Sequence, residues 1–254
     1  MAYDLKSESE VKDYIQNLGI EYRFGCYSEK KADACHLLGD YLEAVKKDYE
    51  KASKVYKNNC DDHNYRKSCH KYGNFMLVGR GHDKENFPEA YKYFDKACHL
   101  NEVDSCLSQG LMLVTNNKMT GVARDVVKGM ALLDKACMGN NGTACYYLSG
   151  MYIAGVKGDA SGEKSARKAP APAKDAKPQF LVEKDMSKAY RYTLQGCTLG
   201  NMYSCANLSQ MYMKGDGTEK NMELAEKYKK MALAMEDELV NSKHTLTFQE
   251  GLAS

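Results

Sequence analysis

Ten cysteines are the residues of this sequence whose type and spacing could do chemistry. They fall as five short-range pairs: Cys26 with Cys35, Cys60 with Cys69, Cys98 with Cys106, Cys137 with Cys145, and Cys197 with Cys205. Cysteines in such pairs could be joined as structural disulfides, remain free buried thiols, or serve as metal ligands or catalytic thiols. The remaining sequence has to separate these alternatives.

Metal and redox sites usually bring cysteines closer together in sequence than they are here. Zinc and iron–sulfur sites are typical of C-x2-C or C-x4-C spacing, and C-x-x-C marks redox and c-type haem motifs. No two cysteines of this chain are closer than eight positions. The spacing therefore favours structural disulfides, with free buried thiols and metal or catalytic thiols as the weaker alternatives.

The cysteine pairs recur together with their surroundings. The fourth residue after each second cysteine is small: Gly39, Gly73, Gly110, Ser149 and Ser209. A spacing of four places this residue on the same helix face as the cysteine, and its small size lets another helix approach closely. Each second cysteine is therefore predicted to lie on a first helix, called the A helix, that carries a packing notch.

A second helix, the B helix, is predicted before the first cysteine of each later pair. A small residue stands eight positions upstream of that cysteine and a spacer four positions upstream; the spacers are Tyr56, Phe94, Leu133 and Thr193. Twelve positions upstream, and at the equivalent place in the last unit, stand Asp48, Asn86, Asp125, Asp185 and Asn221. Such residues commonly accept hydrogen bonds at a helix N-terminus, so the B helices should begin beside them.

Each cysteine pair then spans the end of one B helix and the first turn of the next A helix. Pairing within each pair is the connectivity that such a helix hairpin favours. A loop of about nine residues closed in this way contributes about 2–3 kcal/mol. The prediction is an all-α solenoid of disulfide-stapled helix hairpins.

The predicted domain organisation is one solenoid over residues 1–254, with repeats at about 21–59, 60–97, 98–136, 137–196 and 197–236. A helix at about residues 9–18 precedes them, and no sheet is expected. The fourth repeat is longer because it contains an Ala/Lys/Pro-rich run, which predicts a disordered insertion at 157–180. Residues 244–254 have no clear period, which predicts a loose tail.

Composition and charge disfavour several classes of partner. The 36 basic and 34 acidic residues leave a net charge of +2, so nothing drives the whole chain toward nucleic acid or anionic lipid. The sequence contains no apolar run long enough for a membrane span. Its first eighteen residues are too acidic for a secretory signal or an Arg-rich transit peptide.

Specific residues around the cysteines resemble Sel-1-like repeats, which are relatives of tetratricopeptide repeats. They are Lys-Ala-Cys98, Lys-Ala-Cys137, the run Cys205-Ala-Asn-Leu-Ser-Gln-Met-Tyr212, and Gly215-Asp-Gly217. The five pairs, the Glu-bearing helix before Cys26 and the short first step resemble the cytochrome c oxidase assembly factor 7 family in particular. The resemblance implies a right-handed solenoid. Here the chain departs from the family in its insertion and in having no cysteine left over after pairing.

The resemblance also implies a location and partners. Members of the family are proteins of the mitochondrial intermembrane space that are needed for respiratory-chain assembly, chiefly of complex IV. Disulfides need an oxidising compartment, and the resemblance implies import through the disulfide-relay oxidoreductase. Respiratory-chain subunits or assembly factors are the expected partners, bound by a non-enzymatic scaffold.

Two alternative functions remain open at this point. One is a haem-binding chaperone or thiol–disulfide reductase in cytochrome oxidase maturation, with His36, His70 and His99 as candidate ligands, each directly after a cysteine, or Met112, Met151 and Met211. The histidines could instead be solvent-facing helix residues, and the methionines core residues.

The other alternative is a β-lactam-binding, hydrolase-like repeat protein. Ser-x-x-Lys spacing occurs at Ser9 and Lys12, Ser28 and Lys31, Ser68 and Lys71, Ser161 and Lys164, and Ser165 and Lys168. The companion motifs Ser-Asp-Asn and Lys-Thr-Gly are absent from the sequence. The scaffold is the favoured hypothesis.

Overall fold

The computed structural model describes residues 7–115, 121–158 and 180–245, which form eleven helices and one short β-ribbon. The helices are α1 (Glu8–Tyr27), α2 (Ala32–Ala44), α3 (Tyr49–His63), α4 (Arg66–Val78), α5 (Phe87–His99), α6 (Val103–Val114), α7 (Val126–Met138), α8 (Gly142–Ala154), α9 (Met186–Thr198), α10 (Met202–Lys214) and α11 (Met222–Thr245). The predicted all-α class is confirmed, with α2, α4, α6, α8 and α10 as the A helices.

The helices pack in sequence order inside each of two compact units, residues 1–132 and 133–254. In the first unit each helix from α1 to α6 packs against the next one, and in the second unit α8 to α11 do the same. Packing against sequence neighbours is the property that defines a repeat array. The helix hairpins therefore stack as the repeated sequence pattern predicts.

All five predicted N-cap residues begin a B helix. Their side-chain oxygens accept a hydrogen bond from the backbone amide three residues later; the capping residues are Asp48, Asn86, Asp125, Asp185 and Asn221. Asn141 and Asn201 cap the A helices α8 and α10 in the same way. Each of these bonds satisfies an amide that the first turn of a helix leaves unpaired.

The small notch residues of the A helices pack against the spacer residues of the following B helices, as predicted. Gly39 of α2 lies against the ring of Tyr56 in α3, and Gly73 of α4 lies against the ring of Phe94 in α5. Both rings are fully buried. In the second unit Ser149 of α8 faces Thr193 of α9, and their hydroxyls share a hydrogen bond. The size of the notch residue therefore matches the size of the spacer on the neighbouring B helix.

Loop glycines also hold the hairpins together. Gly217 has φ +72°, and a Cβ there would collide with the carbonyl oxygen of Met186, the first residue of α9. Gly81 has φ +73°, and a Cβ there would lie 2.5 Å from the carbonyl oxygen of Tyr49, the first residue of α3. Only glycine fits both the left-handed backbone and the close approach.

Two predicted boundaries at the ends of the chain are wrong. The N-terminal helix does not stop near residue 18 but continues to Tyr27 and includes Cys26, so α1 is itself the B-type helix of the first cysteine pair. Ser7 stands at its N-cap position without a side-chain capping bond. At the other end α11 extends through Thr245, so residues 244–245 are helical. The rest of the predicted loose tail, 246–254, lies outside the described residues.

The expectation that the chain contains no strands is also wrong. Strand β1 (Val156–Lys157) pairs antiparallel with β2 (Phe180–Val182) at the two ends of the predicted insertion. The β-branched and aromatic residues of this ribbon suit extended backbone, and the Phe180 ring packs on Gly155, which has φ +70°. Residues 159–179, the interior of the insertion, lie outside the described part of the chain.

Candidate functional site

The structure places each cysteine pair at the junction that the sequence predicts. The first cysteine lies in the last turns of a B-type helix, α1, α3, α5, α7 or α9, and the second lies in the first turn of the A helix that follows. The first cysteines are Cys26, Cys60, Cys98, Cys137 and Cys197, and the second cysteines are Cys35, Cys69, Cys106, Cys145 and Cys205.

The geometry at all five junctions is nearly the same. The two sulfur atoms of each pair are 2.05–2.07 Å apart, and the Cα atoms are 4.4–4.8 Å apart. Cys69 and Cys145 are fully buried. Cys26 and Cys35 are the most exposed of the ten cysteines, at 5% each. All ten sulfurs therefore lie at disulfide distance, shielded from solvent.

Two of the candidate haem ligands, His36 and His70, connect neighbouring A helices. Nδ1 of His36 lies 3.0 Å from Oγ of Ser68, and Nδ1 of His70 lies 2.7 Å from Oγ of Ser105. Nε2 of His70 also lies 2.9 Å from Nδ2 of Asn74. The expectation that these histidines face solvent is wrong, since they are half-buried within the array. Burial lowers the pKa of both imidazoles.

His99 occupies a different kind of position. It follows the first cysteine of its pair rather than the second, so it lies at the end of the B helix α5 and is 76% exposed. Its Nδ1 lies 2.7 Å from the backbone oxygen of Asp95 and 3.4 Å from that residue's carboxylate. Across the three described ranges, no group of three His, Cys, Asp or Glu side chains could hold a metal ion.

The candidate methionines are buried or half-buried in helices. Met211 is buried in α10, whereas Met112 of α6 and Met151 of α8 are half-buried. Met112 packs against the apolar core of the first unit. Flexible methionine side chains commonly fill such irregular spaces.

Ser68, His36 and Asp40 form an arrangement that resembles a hydrolytic triad. Nδ1 of His36 is hydrogen-bonded to Oγ of Ser68, and Nε2 of His36 lies 3.6 Å from the carboxylate of Asp40. However, Ser68 is fully buried and also accepts a hydrogen bond from Nδ2 of Asn59 at 2.8 Å. A nucleophile has to reach a reacting carbonyl, and here no substrate can approach Ser68.

The Ser-x-x-Lys pairs among the described residues have other contacts than a hydrolytic site would need. Lys71 contacts Glu43 at 2.9 Å and Asp40 at 3.5 Å. Lys31 contacts Glu29 at 3.0 Å, and Ser9 shares a hydrogen bond with Ser7. The two pairs within 161–168 lie outside the described residues. The described pairs thus give no support to the hydrolase alternative.

A charged cluster of Asp40, Glu43, Tyr56, Lys71 and Arg80 was not foreseen from the sequence. The Tyr56 hydroxyl donates to Asp40 and Glu43, and Glu43 also accepts from Lys71 and Arg80 at 2.9 and 3.0 Å. Burial raises the pKa of the Tyr56 hydroxyl, and its two carboxylate acceptors raise it further. Burial alone would raise the pKa of Glu43, but hydrogen bonds from Lys71, Tyr56 and Arg80 lower it.

This charged cluster borders an open cavity of about 360 Å³. Its members come from α2, α3, α4 and the loop after α4, so no local sequence pattern brings them together. The cluster holds charge at the surface in a fixed arrangement, which suits recognition of a polar partner surface.

An apolar groove lies between α10 and α11, and we call it the C-terminal groove. It is lined by residues that include Tyr203, Ala206 and Met213 of α10 and Lys229, Leu233 and Glu236 of α11. Its volume is about 360 Å³. Tyr203, Met213 and Leu233 are between 43% and 56% exposed. Large apolar side chains grouped at the surface mark a binding site more often than isolated ones do.

Comparison with known proteins defines the class of this fold. The Sel1 repeat family model matches residues 32–52, 66–102, 119–141, 178–201 and 203–237, so the molecule is a Sel1 repeat protein. The structure of a protective antigen of uropathogenic Escherichia coli with an SLR fold is similar over 92% of this chain and 44% of its own, with a TM-score of 0.68 and 18% identity. A Sel1 repeat protein from Oxalobacter formigenes gives a TM-score of 0.60 at 18% identity, over 79% and 68% of the two chains. These structures support the fold alone.

Curated relatives narrow the class to one family. The cytochrome c oxidase assembly factor 7 homolog of Drosophila melanogaster is 53% identical over 264 residues, which cover 99% of this chain and 98% of the relative. Cytochrome c oxidase assembly factor 7 of Xenopus tropicalis is 36% identical over 90% of both chains, and that of Homo sapiens is 30% identical over 96% and 97%. The chain belongs to the cytochrome c oxidase assembly factor 7 family.

Proposed function

We propose that this protein takes part in the assembly of cytochrome c oxidase. The observation that carries the proposal is the 53% identity to a named assembly factor homolog over nearly the full length of both chains. The similarity spans the cysteine-bearing hairpins of both solenoid units. The role therefore rests on the whole chain rather than on one shared motif.

The proposed mechanism is that of a non-enzymatic, protein-binding scaffold. Repeat arrays present extended surfaces along their stacked helices, which suits contact with other proteins. Two such surfaces are the charged cluster and the C-terminal groove. The triad-like arrangement described above has its serine fully buried, which argues against hydrolysis there. Respiratory-chain subunits or other assembly factors are the proposed partners.

A deletion and rescue experiment tests the assembly role. Cells that lack their own homologue should contain less assembled cytochrome c oxidase, and expression of this chain should restore it. The measurement is cytochrome oxidase activity together with native gel electrophoresis of respiratory complexes. If the oxidase assembles normally in the deleted cells, or if only a complex other than the oxidase is restored, the proposed role is wrong.

The proposed location is the mitochondrial intermembrane space, where the five cysteine pairs would be oxidised during import by the disulfide relay. The support is physical, because five pairs at disulfide distance need an oxidising compartment to stay joined. No described helix is both long and apolar enough to cross a membrane.

Counting thiols in the protein from intact cells tests the proposed oxidation state. The cells are quenched in acid, and the denatured protein is alkylated before and after reduction. None of the ten cysteines should react with the alkylating reagent before reduction, and all ten should react after it. Two or more thiols labelled without reduction would contradict the proposal. Protease protection of mitochondria with ruptured outer membranes tests the compartment separately.

We further propose that the scaffold acts without bound haem. Both ring nitrogens of His70 already have hydrogen-bond partners, and His36 is held between Ser68 and Asp40. Haem binding would have to displace these contacts. Titration of the purified protein with haem should therefore give no saturable Soret shift. A saturable shift that is lost when His36, His70 and His99 are replaced together would refute this.

A further inference from the structure

The last helix of the array is a B helix without an A helix after it in the described chain. Asn221 caps α11 as the equivalent residues cap the other B helices, and Ala225 occupies the position of their small residue. Eight positions later, where each preceding B helix carries the first cysteine of a pair, α11 has Leu233. Leu233 is 50% exposed, whereas the cysteines at that place are 5% exposed or less.

Earlier repeats show what covers the exposed side of an A helix elsewhere in the array. In α2, α4 and α8 the residue after the second cysteine contacts the A helix of the following repeat. His36 bonds Ser68 in this way, and His70 bonds Ser105. In the second unit the Tyr146 ring lies 5.7 Å from the Tyr203 ring. At three junctions, therefore, the following A helix covers the surface next to this residue.

In α10 the residue after the second cysteine is Ala206, and it lines the open C-terminal groove. The groove therefore lies where the A helix of a sixth repeat would pack. Its exposed apolar residues, Tyr203, Met213 and Leu233, are on the two helices that such an A helix would contact. The geometry of the array thus specifies the shape of an element that would fill the groove, which is a helix of 12–13 residues like α4, α6 and α8.

Charge at the groove specifies one more property of the occupant. In the first unit Gln109 of the A helix α6 donates to the Asp95 carboxylate of α5. The residue of α11 at the place of Asp95 is Lys230, whose Nζ lies 4.0 Å from Oε1 of Glu226 on the same helix. Lys229 beside it lines the groove, and Glu236 lines the groove about two turns further along α11. An acidic side chain at the place of Gln109 would face these lysines and complement their charge.

We propose that the C-terminal groove binds an amphipathic helix of a partner protein, seated as the A helix of a sixth repeat, with an acidic residue facing Lys229 and Lys230. This inference adds a docking site and the chemistry of its partner to the scaffold function, on which it rests. Apolar burial supplies the affinity and the lysines supply the orientation.

A binding assay with the purified full-length protein tests the proposal independently of oxidase assembly. The probe is a labelled synthetic peptide with the sequence of residues 102–115, carrying Cys106→Ala and Gln109→Glu. A second peptide carries Gln109→Lys instead. The Glu peptide should bind saturably and about tenfold more tightly than the Lys peptide at low salt.

Matched variants locate the binding. Leu233→Lys places a charge in the groove and should weaken binding of the Glu peptide about tenfold. Val240→Lys is the control, because Val240 is 48% exposed on the same helix but does not line the groove. Circular dichroism checks that both variants fold. Equal weakening by the two variants, or no binding up to about 1 mM peptide, would overturn the proposal.

Photo-crosslinking in cells identifies the natural occupant. A benzoylphenylalanine at position 233 should crosslink to a helical, amphipathic segment of another protein, and the same label at position 240 should not. Crosslinks that map only to residues 246–254 of the same chain, or to a second copy, would refute a partner helix. Failure here with normal rescue of the oxidase would leave the assembly role standing and remove the docking site.

Discussion

The packing of Gly73 against Phe94 sets how closely α4 and α5 approach. A Cβ added at Gly73 would lie 2.7 Å from Cε1 and 2.8 Å from Cδ1 of the Phe94 ring, which is fully buried. Gly73→Ser therefore forces the ring or the helix to move, and such overpacking costs about 1–3 kcal/mol. Phe94→Thr alone leaves a cavity and should cost about 3 kcal/mol, near the lower end for loss of a buried ring.

The second unit suggests how these two defects can compensate each other. Ser149 and Thr193 occupy the places of Gly73 and Phe94, and their hydroxyls share a buried hydrogen bond. In the double variant, Gly73→Ser with Phe94→Thr, the collision disappears and the same hydrogen bond can form. The double variant should therefore be more stable than the sum of the single effects by about 2 kcal/mol.

Urea unfolding followed by far-ultraviolet circular dichroism, under non-reducing conditions, measures the four free energies of this cycle. Gly150→Ser is the matched control, because a Cβ at Gly150 meets nothing within 4 Å and should change stability by no more than about 0.5 kcal/mol. Single effects that add within about 0.5 kcal/mol would refute the claim that notch and spacer are matched.

Three further perturbations have directions fixed by the structure. Asn141→Ala removes the cap of α8 and should lower stability by about 1 kcal/mol, whereas Asn141→Asp keeps the acceptor and most of the stability in urea unfolding. Replacing both Cys197 and Cys205 by alanine should cost about 2.5 kcal/mol of unfolding free energy, and an unchanged value would mean that the two sulfurs are not bonded in the native protein. Burial lowers the pKa of His36 and His70 in the folded state, so the unfolded chain binds more protons below pH 6.5 and stability should fall as the pH drops through that value. The double variant His36→Gln with His70→Gln should flatten this slope below about pH 6.5, and an unchanged slope would show that other groups cause it.

The repeat architecture was predictable because the same residue types recur at the same local spacings in each hairpin. Caps such as Asp48 and Asn86 act within one turn of helix, and a notch four residues after a cysteine lies on the same helix face. Both relations are local, so spacing in the sequence carries them directly. The cysteine junctions, such as the one between Cys60 and Cys69, follow from the same register.

Features that depend on several helices were not predictable in this way. Glu43, Lys71 and Arg80 meet only after α2 and α4 pack, and nothing in their spacing indicates that contact. The burial of His36 likewise depends on the following A helix, which supplies Ser68. Sequence separation hides such contacts because each residue, taken alone, resembles an ordinary polar residue on a helix surface.

Local sequence patterns gave wrong predictions at two places, the end of α1 and the β-ribbon. The stretch after residue 18 contains Gly19 and Gly25, which weaken a helix by propensity. Close packing overrides that cost, since a Cβ at Gly25 would lie 2.8 Å from the Cβ of Ala34 and so crowd α2. The ribbon at the insertion was missed because its strands have only two and three residues, too few to show an alternating pattern.

That ribbon gives the fourth repeat a tolerance for length. Lys157 and Phe180 are paired across the ladder, so the chain leaves and re-enters the repeat at neighbouring points. Paired strand residues lie about 5 Å apart, and the entropic cost of closing a loop grows only with the logarithm of its length. Replacement of residues 159–179 by a folded domain with adjacent termini should therefore leave α8 and α9 in register, which makes this position a natural attachment point for a reporter.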